Sequence, residues 1–226
     1  MRRLINEAPG RVLDVGCGVG SLVSFLTANG RNAIGVESSS FMVQAAAQMG
    51  APVILGAGDT LPFEDCTFGV AVVERVLQHV PQPEAVLDEM WRVLRPGGVL
   101  IAIDPIHADA WVTTGNLEGL ATRLIAWRAK AGVASPDVAN LTKKWAECRG
   151  GQSQVFVCST DRYDDARVIT NFPQWAGLAR QAGEPVTLSE VESWESAWAD
   201  AKSGRASMTF SWQIGMSTAT KDHQRV

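Results

Sequence analysis

Arg11-Val12-Leu13-Asp14-Val15-Gly16-Cys17-Gly18-Val19-Gly20 decides how the rest of the chain is read. Val12 to Val15 is a short apolar run of the kind that forms a parallel strand buried on both faces. Three glycines then alternate with other residues, and Ser21-Leu22-Val23-Ser24-Phe25-Leu26 reads as a helix. Strand, glycine turn and helix together make a cradle. Glycine lets the backbone approach a ligand and take left-handed dihedrals, and a helix start offers N–H groups to a polar or anionic moiety. The spacing is Gly-x-Gly-x-Gly, not the Gly-x-Gly-x-x-Gly of dinucleotide folds, and glycine turns also arise for structural reasons alone. Asp14 narrows the choice, because a charge inside a buried strand needs a hydrogen-bonding task.

Downstream, helical and strand-like segments alternate. A helix over about 19–28 stops at Asn29-Gly30, and a strand follows over 32–37. Glu37 closes that strand, where a carboxylate can accept from both ribose hydroxyls; the alternative is a charge at the start of the next helix, beside Ser38. A helix over about 40–49, a strand over 52–56 and the string Asp59-Thr60-Leu61-Pro62-Phe63 come next. By itself that string reads as an ordinary acidic turn. A fourth strand over 68–73 leads into Glu74 and Arg75, and ligands of open parallel sheets bind at such strand ends. Val86, Leu87, Met90, Trp91, Val93 and Leu94 recur at helical spacing, with Pro83 in the first turn. Arg95-Pro96-Gly97-Gly98 then precedes a fifth strand over 99–104.

These strings resemble the class I S-adenosylmethionine (SAM)-dependent methyltransferases, in particular the ubiquinone/menaquinone-methyltransferase-like group. The resemblance is specific over about residues 11–104 and rests on element order beyond. It implies a Rossmann-like α/β fold: a seven-stranded, mostly parallel sheet with strand seven antiparallel, helices on both faces and a helical cap after strand five. It implies that Asp14, Gly16, Cys17 and Gly18 hold the amino acid end of SAM, with Glu37 and Ser38 at the ribose. Asp59, Thr60 and Leu61 would then lie at the adenine, and Glu74 and Arg75 near the cofactor. Leu94 to Gly98 is a structural crossover in this family. Relatives usually carry aspartate where this chain has Gly69, and a longer N-terminal segment over the active site; here the start is truncated or the cover comes from elsewhere.

After residue 104 the chain is expected to leave the sheet until 135, with a cap helix over about 117–130. Further helices are expected over 136–148 and 171–181, and Thr187-Leu188-Ser189-Glu190 is a capping box opening a helix to about Lys202. Strand six is expected over 154–159 and strand seven over 206–214, which the resemblance places between strands five and six, with a frayed tail from Thr218. The whole reads as a single domain over 1–226, with helical cap or insertions at about 105–135 and 161–203. Trp194 and Trp198, four apart, read as sheet-packing; Trp111 and Trp127 are pocket candidates.

Composition excludes several classes. A net charge of −4 argues against a nucleic acid backbone as partner, and no apolar run suffices to span a bilayer. The first residues do not make a signal peptide, so a cytoplasmic location is expected. Cys17, Cys66, Cys148 and Cys158 form no CxxC pair and read as reduced, small residues, with no metal. The candidate bases are His107, just past strand five, and His79, one turn beyond strand four; the alternative for each is a surface or capping histidine. Asp109 and Glu74 are carboxylate alternatives, and relatives often need no base. The expected activity is methyl transfer from SAM to a small-molecule acceptor, leaving S-adenosylhomocysteine (SAH); a homodimer is a candidate assembly. The competing readings are a SAM-fold enzyme of other chemistry such as cyclisation, a non-catalytic SAM-binding partner subunit, and, more weakly, an NAD-linked enzyme.

Overall fold

The computed structural model describes all residues except 114–116, 132–133, 136, 161–163, 165–170 and 223–226; for Arg2, residues 107–113 and Phe172 it describes the backbone only. In chain order the elements are α1 (Arg2–Glu7), β1 (Val12–Val15), α2 (Ser21–Ala28), β2 (Ala33–Glu37), α3 (Ser40–Gln48), β3 (Val53–Leu55) and β4 (Phe68–Glu74). A 3-10 turn (Leu77–His79), α4 (Pro83–Val93), β5 (Leu94–Thr113), α5 (Glu118–Arg128) and α6 (Val138–Glu147) follow. The chain continues with β6 (Gln152–Thr160), a 3-10 turn (Phe172–Gln174), α7 (Trp175–Gln181), α8 (Leu188–Lys202) and β7 (Thr209–Thr220).

The seven strands form one sheet in the order β3-β2-β1-β4-β5-β7-β6. Pairings from β3 to β5 are parallel, with Asp14 opposite Gly35 on one side and Val72 on the other. β7 is antiparallel to β5: Gly97 N–H donates to Lys221 O and Lys221 N–H to Gly98 O. The expected fold and the insertion of strand seven between five and six are therefore observed. No described helix is long and apolar enough to cross a membrane.

Two compact units are distinguishable: residues 1–104, 137–154 and 215–226, and residues 105–136 and 155–214. The first has a core of Leu13, Val15, Phe68, Val73, Leu87, Met90 and Leu100, completed by Trp145 and Ala146 of α6. The apolar stripe of α4 faces this core as its spacing predicts, and Trp91 packs edge-on against Trp145. The second unit has its own core of Leu120, Leu124, Trp175, Val191, Trp194, Trp198 and Phe210. Thr187 and Glu190 cap each other reciprocally at the start of α8, as read from the sequence.

Two expectations are corrected. Residues 105–113 do not leave the sheet but continue β5, a 20-residue strand that begins already at Leu94. Pro96 and Pro105 fit within it, because proline's fixed φ is compatible with extended backbone and the residue before it is pushed toward β. The tail from Thr218 is not frayed: β7 runs to Thr220, Ser217 and Ala219 are buried, and Lys221 Nζ donates to the carbonyls of Trp91 and Leu94 at 2.7 and 2.8 Å. Those carbonyls end α4, where a cation also meets the negative end of the helix dipole.

Gly69, the departure from the family pattern, has a steric cause. A Cβ there would collide with the carbonyl of Pro9, and Gly69 N–H donates to Arg11 O at 2.9 Å. The segment before β1 crosses at this point, held also by Arg95 Nη2 donating to Pro9 O at 2.8 Å.

Candidate functional site

The site is built on the carboxyl ends of β2, β1 and β4, which lie side by side in the sheet. The glycine turn leaves β1 with Gly16, Gly18 and Gly20 all at positive φ (69°, 56° and 76°). The three have different jobs. A Cβ on Gly16 would overlap the side chain of Val76, and one on Gly20 would press on Ala51. A Cβ on Gly18 would meet nothing within 4 Å, so Gly18 is the glycine that fronts open space.

Four N–H groups of this turn are already used. Gly16 and Cys17 donate to Val36 O, Gly20 donates to Cys17 O, and Gly18 donates to Glu37 Oε2 at 2.9 Å. Glu37 Oε1 accepts from Ser39 N–H at 2.8 Å and from the Ser38 hydroxyl at 3.4 Å. One carboxylate thus ties the glycine turn after β1 to the turn after β2. A carboxylate oxygen has two lone pairs, so Oε2, with a single donor, still has an acceptor site for a ligand hydroxyl.

Asp14 is 5% exposed and, among the described residues, its carboxylate accepts no hydrogen bond. Burial, then the charges of Glu74 and Glu37, push its pKa up to about 7. Cys17 packs on Gly35; burial first, then Asp14 and Glu37, push its thiol up to about 12, so it is a neutral filler and not a nucleophile. All four cysteines are free.

The loop carrying Asp59, Thr60 and Leu61 is pinned by two residues the sequence reading missed, Glu89 and Arg92 of α4. Glu89 Oε2 accepts from Leu61 N–H at 2.9 Å. The Arg92 guanidinium donates to Leu61 O, Phe63 O and Asp65 Oδ1 at 3.1, 2.9 and 2.7 Å, and is forked onto Glu89. That hydrogen bonding with Arg92 holds the Glu89 carboxyl below its ordinary range. Their three-residue spacing on the polar face of α4 was the available signal. Leu61 is buried with its N–H engaged; Asp59 takes a 3.5 Å bond from the Thr60 hydroxyl.

Glu74 ends β4 and Arg75 follows it; both are exposed, with Arg75 in the left-handed region at φ 60°. His79 is exposed and closes the 3-10 turn, its N–H bonded to Val76 O. The His107 backbone lies in β5; its side chain, like those of Asp109 and Trp111, lies outside the described residues, as does His223. Trp127 packs on the core of the second unit and lines a cavity there with Arg123, Leu124 and Pro185.

This sheet order, with the glycine turn and a strand-end acid on the next strand, is the arrangement expected of the class I SAM-dependent methyltransferase fold. Residues 13–102 match the family described as methyltransferase domain. The chain is 39% identical over 92 residues to an uncharacterised methyltransferase of Mycobacterium sp. strain KMS, covering 40% of this chain and 36% of that protein. It is 33% identical over 100 residues to demethylmenaquinone methyltransferase of Corynebacterium kroppenstedtii, covering 44% of each. It therefore spans less than half the length of these curated relatives. A solved structure of Haemonchus contortus phosphoethanolamine N-methyltransferase 2 with S-adenosyl-L-methionine shares the fold, with TM-score 0.54, 16% identity, and coverage of 96% of this chain and 49% of that one.

Proposed function

We propose that this protein transfers a methyl group from SAM to a small-molecule acceptor, by O-, N- or C-methylation. The observation that carries the reading is the arrangement of Asp14, Gly18 and Glu37 at the ends of β1 and β2. Gly18 fronts open space, Asp14 is a buried carboxylate without a donor among the described residues, and Glu37 keeps acceptor capacity on Oε2. With Glu74, three carboxylates line adjacent strand ends. Such a row suits a ligand carrying positive charge and opposes the pyrophosphate of a dinucleotide. SAM supplies an activated methyl on a sulfonium, so the chain has little covalent work to do.

In this reading Asp14 accepts from the ligand's ammonium, Glu37 from its ribose hydroxyls, and the loop Asp59–Leu61 shapes the adenine side. Cys17 fills space, and Ser38 supports Glu37. Glu74 and Arg75 border the methyl-bearing end, and His107 or His79 removes a proton where the acceptor has one to lose. Holding donor and acceptor in line supplies roughly 7–11 kcal/mol of barrier lowering, and a placed base adds about 10²–10⁴-fold. A quinone-like or natural-product acceptor is the class we favour. A cytoplasmic location and a homodimer complete the reading.

The test is calorimetry with SAM, SAH and NAD, followed by a labelled-methyl screen over small acceptors. Micromolar binding of SAM and SAH, none of NAD, and label transfer support the reading. NAD binding, or no uptake of either nucleoside, removes it; SAM binding without transfer to any acceptor favours the non-methylating or partner-subunit alternatives.

A further inference from the structure

Asp104 lies on β5, is 2% exposed, and has no task in the scheme above. Its Oδ1 accepts from Gln78 N–H at 3.4 Å, while Oδ2 is buried and accepts nothing among the described residues. Burial pushes its pKa up to about 7, against the pull of the Gln78 and Leu77 N–H groups and the Arg75 charge. A half-satisfied buried carboxyl costs stability that an apolar side chain of the same size does not.

The neighbours of Asp104 belong to the loop between β4 and α4. That loop is fastened to β5 twice: Arg75 N–H donates to Ile103 O at 2.7 Å, and Gln78 meets Asp104. Gln78 Nε2 folds back onto Arg75 O at 3.3 Å. Between these two fastenings sits Val76, the residue whose side chain occupies the space a Cβ on Gly16 would need. The loop therefore connects β5 to the glycine turn by direct contact.

We propose that Asp104 is a positioning residue: by anchoring the backbone of Leu77 and Gln78 it fixes Val76 against Gly16, and so holds the glycine turn in the shape that receives the cofactor. This rests on the SAM reading above. Asp104 acts through the loop and is not a base.

The experiment is calorimetry with SAH, and thermal unfolding, for wild type, Asp104→Asn, Asp104→Leu, Val76→Ala and the Asp104→Leu/Val76→Ala double variant. Asparagine keeps an acceptor oxygen, so Asp104→Asn is expected to bind within about threefold of wild type. Asp104→Leu and Val76→Ala are each expected to bind about tenfold more weakly, with Asp104→Leu melting no lower than wild type. The double variant is expected to lose little beyond the worse single one, since both act on one contact path. Wild-type affinity in Asp104→Leu or in Val76→Ala overturns the proposal. So does equal weakness in Asp104→Asn and Asp104→Leu, which would assign the effect to charge, and so do additive losses. An Asp104→Leu chain that melts well below wild type makes Asp104 merely structural and overturns it too. Failure of the wild type to take up SAH sinks the cofactor reading itself; wild-type uptake matched by Asp104→Leu sinks only this inference.

Discussion

Glu37 Oε2 accepts a hydrogen bond from the backbone N–H of Gly18 at 2.9 Å across 19 residues of sequence. The carboxylate at the end of β2 therefore does two things. It closes the glycine turn, and in the proposed reading it also offers an acceptor to the ligand seated there. A pre-closed turn spares the ligand the cost of ordering it.

Glu37→Ala removes both roles and is expected to weaken SAM and SAH by about 10²-fold, on the order of 3 kcal/mol. Glu37→Gln keeps one acceptor oxygen and is expected to lose about half of that in free energy. Calorimetry decides; unchanged binding in Glu37→Ala removes the ribose assignment.

The glycines of the turn are expected to separate by phenotype. Gly16→Ala drives a methyl into Val76 at a left-handed φ and should lower the melting temperature strongly. Gly18→Ala has room and meets only the left-handed cost of about 1–2 kcal/mol. It is expected to stay folded yet lose most cofactor affinity, because the new methyl stands where the ligand approaches. Equal affinity loss with equal thermal loss at both positions would contradict this division.

Asp14 links the site to pH. Its folded pKa, about 7, lies above the ordinary value of 3.8, so between those values the native state holds more proton than the unfolded one. Its contribution to ligand-free stability is full below about pH 4 and lost as pH rises through 7. Asp14→Asn should therefore gain on wild type between pH 5 and pH 8, by on the order of 2 kcal/mol in denaturant unfolding. Cofactor binding has the opposite sense: an ammonium favours the ionised carboxyl, so SAM affinity should rise with pH through about 7 with release of a proton. A pH-independent difference between the two chains would refute the assignment.

Arg92 is expected to matter without lying at any reacting atom. Arg92→Ala frees Leu61 O, Phe63 O and Asp65 together. A loss of about 1–3 kcal/mol in stability and a several-fold weaker hold on SAH are expected. Arg92→Lys restores charge but not the fork, and should recover only part. Wild-type SAH affinity in Arg92→Ala would detach this loop from the adenine side.

His107→Ala is expected to lower the transfer rate by about 10²–10⁴-fold with little change in SAH affinity. Full activity across the pH range would retire it as the base, and the same assay on His79→Ala tests the other candidate.

The local signals held because each is written within a few residues. The glycine turn, the stop at Gly30, the Pro83 start of α4 and the Thr187–Glu190 box need only neighbours along the chain. Period and spacing also gave the strand and helix alternation, and the family resemblance supplied the expected sheet order. What could not be read there depends on residues far apart in sequence. Lys221 meets Trp91 across 130 positions, which is why the end of β7 is ordered. Gly69 is a glycine because Pro9 passes over it. Asp104 ends the strand read from the sequence, and its contact with Gln78 exists only in the fold. The sequence determined by itself which segments turn, pair and coil, since those preferences are properties of the local backbone and of side-chain period. Only the tertiary structure decided which N–H groups of the turn are already spent, which carboxylates lose their water and which loop braces which, because burial and desolvation exist only once distant strands have been brought together.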